Sequence, residues 1–183
     1  MNEIRIYLTG FMTSGKSTIG PILANVLGVD FFDLDKVIES DENRTIVEIF
    51  ESKGEEYFRK IEYEKLKQLC ELKRAVIALG GGTLTQEANY DLLKSTGTII
   101  YLKVSPANLY KRLKNKTDRP LIRDLVLGEK SEVDFLEKIE ELLEKRRMYY
   151  EKADLVIETD LQPIGKTVDK IAKRISVMFD EKN

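Results

Sequence analysis

Residues 10–18, Gly-Phe-Met-Thr-Ser-Gly-Lys-Ser-Thr, constrain this chain more than any other stretch. They match GxxxxGK[ST], follow directly on a β-rich apolar run at 4–8, and open a helical pattern with Ile19, Ile22, Leu23 and Val26 on one face. A strand, a glycine loop and a helix in that order form a crossover unit that leads to a parallel neighbour, so the fold must be α/β. The spacing also has a chemistry. Glycines let the backbone wrap closely around a phosphate, successive N–H groups point inward, and the helix N-terminus adds positive potential. Gly10, Met12, Thr13, Ser14, Gly15, Lys16, Ser17 and Thr18 are therefore the candidate nucleotide-binding residues. Lys16 would bring a mobile charge to the β and γ phosphates, and the Ser17 hydroxyl would ligate Mg²⁺.

The rest of the chain repeats the alternation. Strand candidates at 4–8, 29–32, 75–79, 98–102 and 155–157 are separated by helical patterns, which predicts a five-stranded parallel sheet. Helix ends carry their usual marks. Gly28 follows the first helix as a C′ glycine, Thr45 and Glu48 have capping-box spacing, and Pro106 and Pro163 stand where a first helical turn tolerates proline. No repeat or linker divides the 183 residues, so a single domain over 1–183 is expected. Residues 114–130 hold charges, Pro120 and Gly128 with weak periodicity and read as a long loop, of the kind that is usually functional or disordered.

Composition narrows the chemistry. There is no His and one Cys, which excludes a Ser-His-Asp triad, a His-ligated zinc, a CxxC pair and an intrachain disulfide. A formal charge of −2 provides no global field for nucleic acid or an anionic membrane, and no apolar run is long enough to span a bilayer. A cytoplasmic protein with neither partner is expected. Cys70, in a pattern with Tyr63, Leu66 and Leu69, reads as a small buried hydrophobe.

Three further motifs stand out. Asp33 and Asp35 end the second strand and, on an extended segment, would share one face. They emerge at the carboxyl end of the sheet, beside the glycine loop, where parallel sheets bind ligands. Gly80, Gly81 and Gly82 follow a buried strand, and three glycines in a row suggest close approach of backbone to a ligand. Arg59 and Glu62 are spaced i, i+3 and alone could be a surface pair, as Arg112, Arg119, Arg123, Arg146 and Arg147 could be solvated charge.

Together and in order, these features resemble the shikimate kinases, P-loop enzymes of the nucleoside-monophosphate-kinase type that phosphorylate the 3-hydroxyl of shikimate with ATP in aromatic amino-acid biosynthesis. The resemblance runs through GFMTSGKST, FFDLDKVIE, IFESKGEEYFRKIE, LGGGT, DRPLI and EKRRMYYEKAD. It implies a three-layer fold with sheet order 2-3-1-4-5, a substrate-binding segment at about 34–62, and a mobile lid at about 114–130 that closes over ATP. It implies catalytic roles for Lys16, Asp35 and Arg119, with Ser17 and Asp33 holding Mg²⁺. Asp35, Arg59, Gly80, Gly81, Gly82 and Arg146 would bind the substrate, with Glu62 orienting Arg59 and with Phe50 and Phe58 as the apolar wall. Arg119 would reach the ATP phosphates, and Arg112 and Pro163 would sandwich adenine. A monomer is expected.

Two departures matter. Thr13 stands where the loop commonly has glycine, and the run Arg146-Arg147-Met148-Tyr149-Tyr150 lacks the usual proline, which leaves Arg146 or Arg147 as the second substrate arginine. Arg146 is preferred because Tyr150 then falls at the expected spacing. Converging arginines call for an anionic substrate, and Asp35 beside them is expected to have a lowered pKa and to position the hydroxyl more than deprotonate it. The competing readings are another P-loop small-molecule kinase and a non-catalytic nucleotide-binding regulator.

Overall fold

The computed structural model describes residues 3–116, 120–128, 131–160 and 162–180. Five strands, β1 (Ile4–Thr9), β2 (Asp30–Asp33), β3 (Arg74–Ala78), β4 (Thr98–Lys103) and β5 (Leu155–Glu158), form one parallel sheet in the order β2-β3-β1-β4-β5. The chain passes to one side of β1 to make β3 and to the other to make β4. The carboxyl end of β1 is therefore the point where strand order reverses, and a crevice opens there.

Alternation along the strands sorts side chains into two cores. Ile6, Leu8, Val76, Ile100 and Leu102 pack against α1 (Lys16–Leu27) and α8 (Ile164–Asp180). Tyr7, Ile77, Ile99 and Tyr101 face the opposite layer, built from α2 (Leu34–Glu42), α3 (Ile46–Cys70) and α4 (Glu87–Thr96). Covered on both faces, the strands read as near-continuous apolar runs, as a parallel sheet requires. Gly28 ends α1 in the left-handed region at φ 63°, and Thr45 with Glu48 starts α3 in a complete capping box. Cys70 is buried in the second core, where it accepts a hydrogen bond from the Tyr7 hydroxyl at 3.2 Å.

A third cluster lies beyond the sheet, where α5 (Pro106–Leu113), α6 (Pro120–Leu127) and α7 (Glu132–Tyr150) meet around Phe11, Leu109, Phe135 and Ile139. It corrects the reading of residues 114–130 as a loop. Residues 120–127 are helical, Pro120 is the first helical residue, and Ile122 is fully buried against this cluster. The helix takes its stability from packing on α7, which local periodicity does not report. Arg119 lies outside the described residues.

Candidate active site

The glycine loop is shaped by two backbone conformations. Gly10 has φ 146° and Gly15 φ 107°, both in the region that favours glycine. A Cβ on Gly10 would also stand 2.7 Å from the Leu102 carbonyl oxygen. Gly15 is the N-cap of α1 and has no side chain to cap the helix, so no capping oxygen stands over the helix N-terminus, whose positive potential favours an anion. Lys16 Nζ donates to the carbonyls of Gly10 at 2.9 Å and Phe11 at 3.1 Å, which folds its charge across the loop. Thr13 also takes a left-handed conformation, φ 60°, uncommon for a β-branched residue. Its carbonyl accepts from Arg112 Nη1 at 3.0 Å, tying the loop to α5. The buried hydroxyls of Thr13 and Ser14 have no hydrogen-bond partner among the described residues.

Asp33 and Asp35 straddle a junction. Asp33 ends β2 and caps α2 by accepting from Lys36 N, whereas Asp35 is in the first turn of that helix, so the extended two-residue repeat expected for them does not hold. Their roles separate accordingly. Asp33 Oδ2 accepts from Ser17 Oγ at 2.9 Å, bringing a hydroxyl and a carboxylate together at the mouth of the loop. Asp35 turns into the neighbouring pocket, where burial and then the Asp33 charge push its pKa up to about 6 against the opposing pull of Lys16. The expectation of a lowered value fails because the arginines do not dominate its surroundings.

That pocket encloses about 450 Å³ and draws on five separate segments: Met12 from the loop, Asp35 from α2, α3 from Ile46 to Glu62, Gly80–Gly82 after β3, and Arg146 from α7. The three glycines make room for its charged groups. A Cβ on Gly80 would lie 2.9 Å from Asp35 Oδ1, one on Gly81 3.2 Å from Arg146 Nη1, and one on Gly82 3.1 Å from Arg59 Nη2. Any larger residue there would displace one of the three side chains that give the pocket its polarity.

Each arginine is held differently. Arg59 Nη1 donates to Glu62 Oε2 at 2.8 Å, and Glu62, only 1% exposed, accepts at its other oxygen from Thr83 Oγ1 at 2.7 Å. A buried carboxylate with both oxygens engaged fixes the guanidinium. Arg146 lies over the Phe11 ring at 5.7 Å and has no ion pair among the described residues. Arg147 is exposed and pairs with Glu144, so of the two it is Arg146 that reaches the pocket. Phe50 and Phe58 pack with ring centroids 4.7 Å apart and form an apolar wall. A wider cleft beside α7, lined by Pro106 and four glutamates, gathers no comparable set of groups.

A shikimate kinase family model matches residues 12–176, which takes in the loop from Met12 onward, the pocket and every strand after the first. The chain belongs to the shikimate kinase family. It is 48% identical to shikimate kinase from Chlorobium limicola over 93% of this chain and 85% of the relative, and 45% identical to that from Chloroherpeton thalassium over 93% and 91%. The structure of Acinetobacter baumannii shikimate kinase in complex with shikimate superposes with a TM-score of 0.85 at 35% identity, covering 96% of this chain and 94% of that one. A gluconokinase from Sinorhizobium meliloti, at 16% identity and a TM-score of 0.56, shares only the fold. As a shikimate kinase, the chain is an ATP-dependent phosphotransferase with an alcohol acceptor.

The site residues expected from sequence fall into groups. Lys16, Ser17 and Asp33 meet at the loop, and Asp35, Phe50, Phe58, Arg59, Glu62, the glycines and Arg146 meet at the pocket. Arg112 reaches the loop backbone, while Pro163 is exposed and its carbonyl accepts from Thr167 N in the first turn of α8. Two contributors lay within the motifs but carried no role there. Thr83 locks Glu62, and the Tyr150 hydroxyl donates to the Gly81 carbonyl at 2.8 Å while its ring stacks on Tyr101. No helix among the described residues is long and apolar enough to cross a membrane.

Proposed function

We propose that this chain transfers the γ-phosphoryl group of ATP to the 3-hydroxyl of shikimate, giving shikimate 3-phosphate and ADP. The observation that carries this reading is the meeting of Asp35, Arg59 and Arg146 in one pocket that also touches Met12 of the phosphate loop. Two cations suit a carboxylate, an acidic side chain suits neighbouring hydroxyls, and the apolar wall of Phe50 and Phe58 suits a carbon ring. Gluconate would leave that wall without a ring to cover.

Phosphoryl transfer has a loose transition state, so positioning and charge neutralisation are the protein's main tasks. Lys16 leaves the carbonyls of Gly10 and Phe11 for the transferring group, and Arg119 is assigned to the same phosphates from its place in Arg119-Pro120-Leu121, in a lid over residues 114–130. Arg112 and Pro163 are assigned to adenine. The Ser17 hydroxyl and Asp33 carboxylate, 2.9 Å apart, are hard oxygen donors of the kind Mg²⁺ takes, and they would hold it. When bound, the ion neutralises phosphate charge. Asp35 aligns the acceptor hydroxyl, and a pKa raised to about 6 makes it a better proton acceptor than an ordinary carboxylate. The near-neutral charge supports a cytoplasmic enzyme without nucleic-acid or membrane partners.

A coupled ADP-release assay with shikimate, gluconate and AMP offered separately tests the assignment. Turnover should need shikimate and Mg²⁺. Equal turnover of gluconate or AMP would sink it.

A further inference from the structure

Arg59 is held by a second carboxylate besides Glu62. Glu55 Oε1 accepts from Arg59 Nε at 3.2 Å and from Nη2 at 3.0 Å, so this acid and Glu62 engage different nitrogens of one guanidinium. The two acids differ in what holds them. The Glu62 side chain is 1% exposed and fastened by Thr83, whereas that of Glu55 is 65% exposed and has no other bond among those described. Glu55 also lines the pocket itself. It follows directly on Gly54, whose φ of 80° interrupts α3, so it sits at the start of the second helical stretch rather than midway along a continuous one.

An i, i+4 glutamate and arginine on a helix are commonly a surface pair of small consequence. Here the arginine is a pocket group, and its charge is already balanced twice. The pocket walls carry Asp35, Glu51, Glu55 and Glu62 against Arg59 and Arg146. An arriving anion meets no surplus of positive charge at Arg59 until one carboxylate leaves, and only Glu55 can leave without baring a buried charge.

We propose that Glu55 is a displaceable stand-in for the substrate carboxylate: it occupies Arg59 in the empty enzyme, and the substrate's carboxylate must take its place. This rests on the reading of Arg59 as a substrate-carboxylate ligand. The consequence is selectivity. A small anion that contacts Arg59 alone gains little by displacing Glu55, since one carboxylate replaces another. A ligand that also engages Arg146 gains a second charge-assisted contact and wins the exchange.

The test is calorimetric titration of shikimate and of its methyl ester into the wild type, Glu55→Gln, Arg59→Ala and the double variant. Glu55 is exposed, so the substitution leaves the core untouched, and circular dichroism checks this. Glu55→Gln should tighten shikimate binding about two- to fivefold, the range of a partly exposed ion pair released from competition. The ester should show no such gain, because it has no carboxylate to exchange, and the gain should vanish in the Arg59→Ala background. Unchanged or weaker shikimate binding by Glu55→Gln, an equal gain for the ester, or a gain that survives loss of Arg59 would each overturn the competition. If Arg59→Ala alone leaves shikimate affinity intact, the reading of Arg59 is what fails, and this inference falls with it.

Discussion

At the phosphate loop the glycines are needed for the shape of the backbone, whereas in the acceptor pocket they are needed for the room they leave. Gly10 and Gly15 have φ of 146° and 107°, while none of Gly80, Gly81 and Gly82 lies in the left-handed region. The latter three instead accommodate Asp35, Arg146 and Arg59, whose atoms lie 2.9 to 3.2 Å from where a Cβ would stand. One half of the site is thus a continuous backbone cradle, and the other is a set of side chains from distant segments packed onto a bare strand end. Chemistry that depends on the first should fail through kcat, and chemistry that depends on the second should fail mainly through substrate affinity.

The largest effect should come from Lys16→Ala, with kcat lowered by about 10² or more, because a charge on the transferring phosphoryl group acts mostly in the transition state. Steady-state kinetics against ATP decides this. A loss confined to the KM for ATP would reduce the loop to a binding device and erase the contrast.

Asp35→Asn belongs to both halves, and its pH dependence separates them. Turnover by the Asp35→Asn enzyme should fall by about 10², since the amide cannot take up the hydroxyl proton. Wild-type activity should decline as pH drops through about 6, where the carboxyl gains its proton. The effect on stability runs the other way. A folded-state pKa raised from 3.8 to about 6 means that the native chain holds the proton more tightly than the unfolded one, so this group's contribution to stability is highest at low pH and is lost as pH rises through that window. Above it, Asp35→Asn should therefore stabilise the unliganded protein by about 1 to 2 kcal/mol, a figure discounted for the opening of the pocket to solvent, with no gain below pH about 4. Denaturant titrations of both proteins at pH 4 and 8 check this, and an equal difference between them at the two pH values would remove the burial argument.

In the acceptor half, Arg59→Ala and Arg146→Ala should each weaken shikimate by roughly 2 kcal/mol while nucleotide affinity is little changed, and Arg147→Ala should do much less. Their effects on folding should differ. Removing Arg59 leaves the buried Glu62 without its cation and should cost about 2 kcal/mol of stability, whereas Arg146 has no described ion pair to lose. Paired titrations of shikimate and of urea distinguish the two arginines. A damaging Arg147 with a neutral Arg146 would shift the register of that motif by one.

The same contrast explains what could be read in advance. The loop, the strands, the Gly28 cap and the Thr45 and Glu48 box follow local rules, and the structure has each of them where those rules place it. The helix at 120–127 is hidden from local pattern because its order depends on burying Ile122 among residues of α5 and α7. The direction of the Asp35 shift escapes a reading of charges along the chain because Arg59 is already claimed by Glu55 and Glu62, which leaves burial as the leading influence. Thr83 lies in LGGGT and Tyr150 marks the spacing from Arg146, but only the folded arrangement shows what they touch.

Tyr150→Phe offers the smallest effect and the sharpest view of how the glycine stretch is held. The hydroxyl donates to the Gly81 carbonyl at 2.8 Å, and the ring is buried and stacked on Tyr101 at 4.7 Å. Phenylalanine keeps the ring and its packing but removes the donor, so the Gly81 carbonyl loses one neutral hydrogen bond, worth about 1 kcal/mol. Gly81 faces Arg146, so slack in this backbone should loosen the pocket around that guanidinium rather than the phosphate loop. Shikimate KM should rise about fivefold, the kinetic equivalent of that bond, with kcat and the KM for ATP nearly unchanged. If kcat fell as far as shikimate affinity, the glycine stretch would be helping to align the reacting atoms, and the division between a backbone cradle for chemistry and a side-chain pocket for recognition would be too sharp.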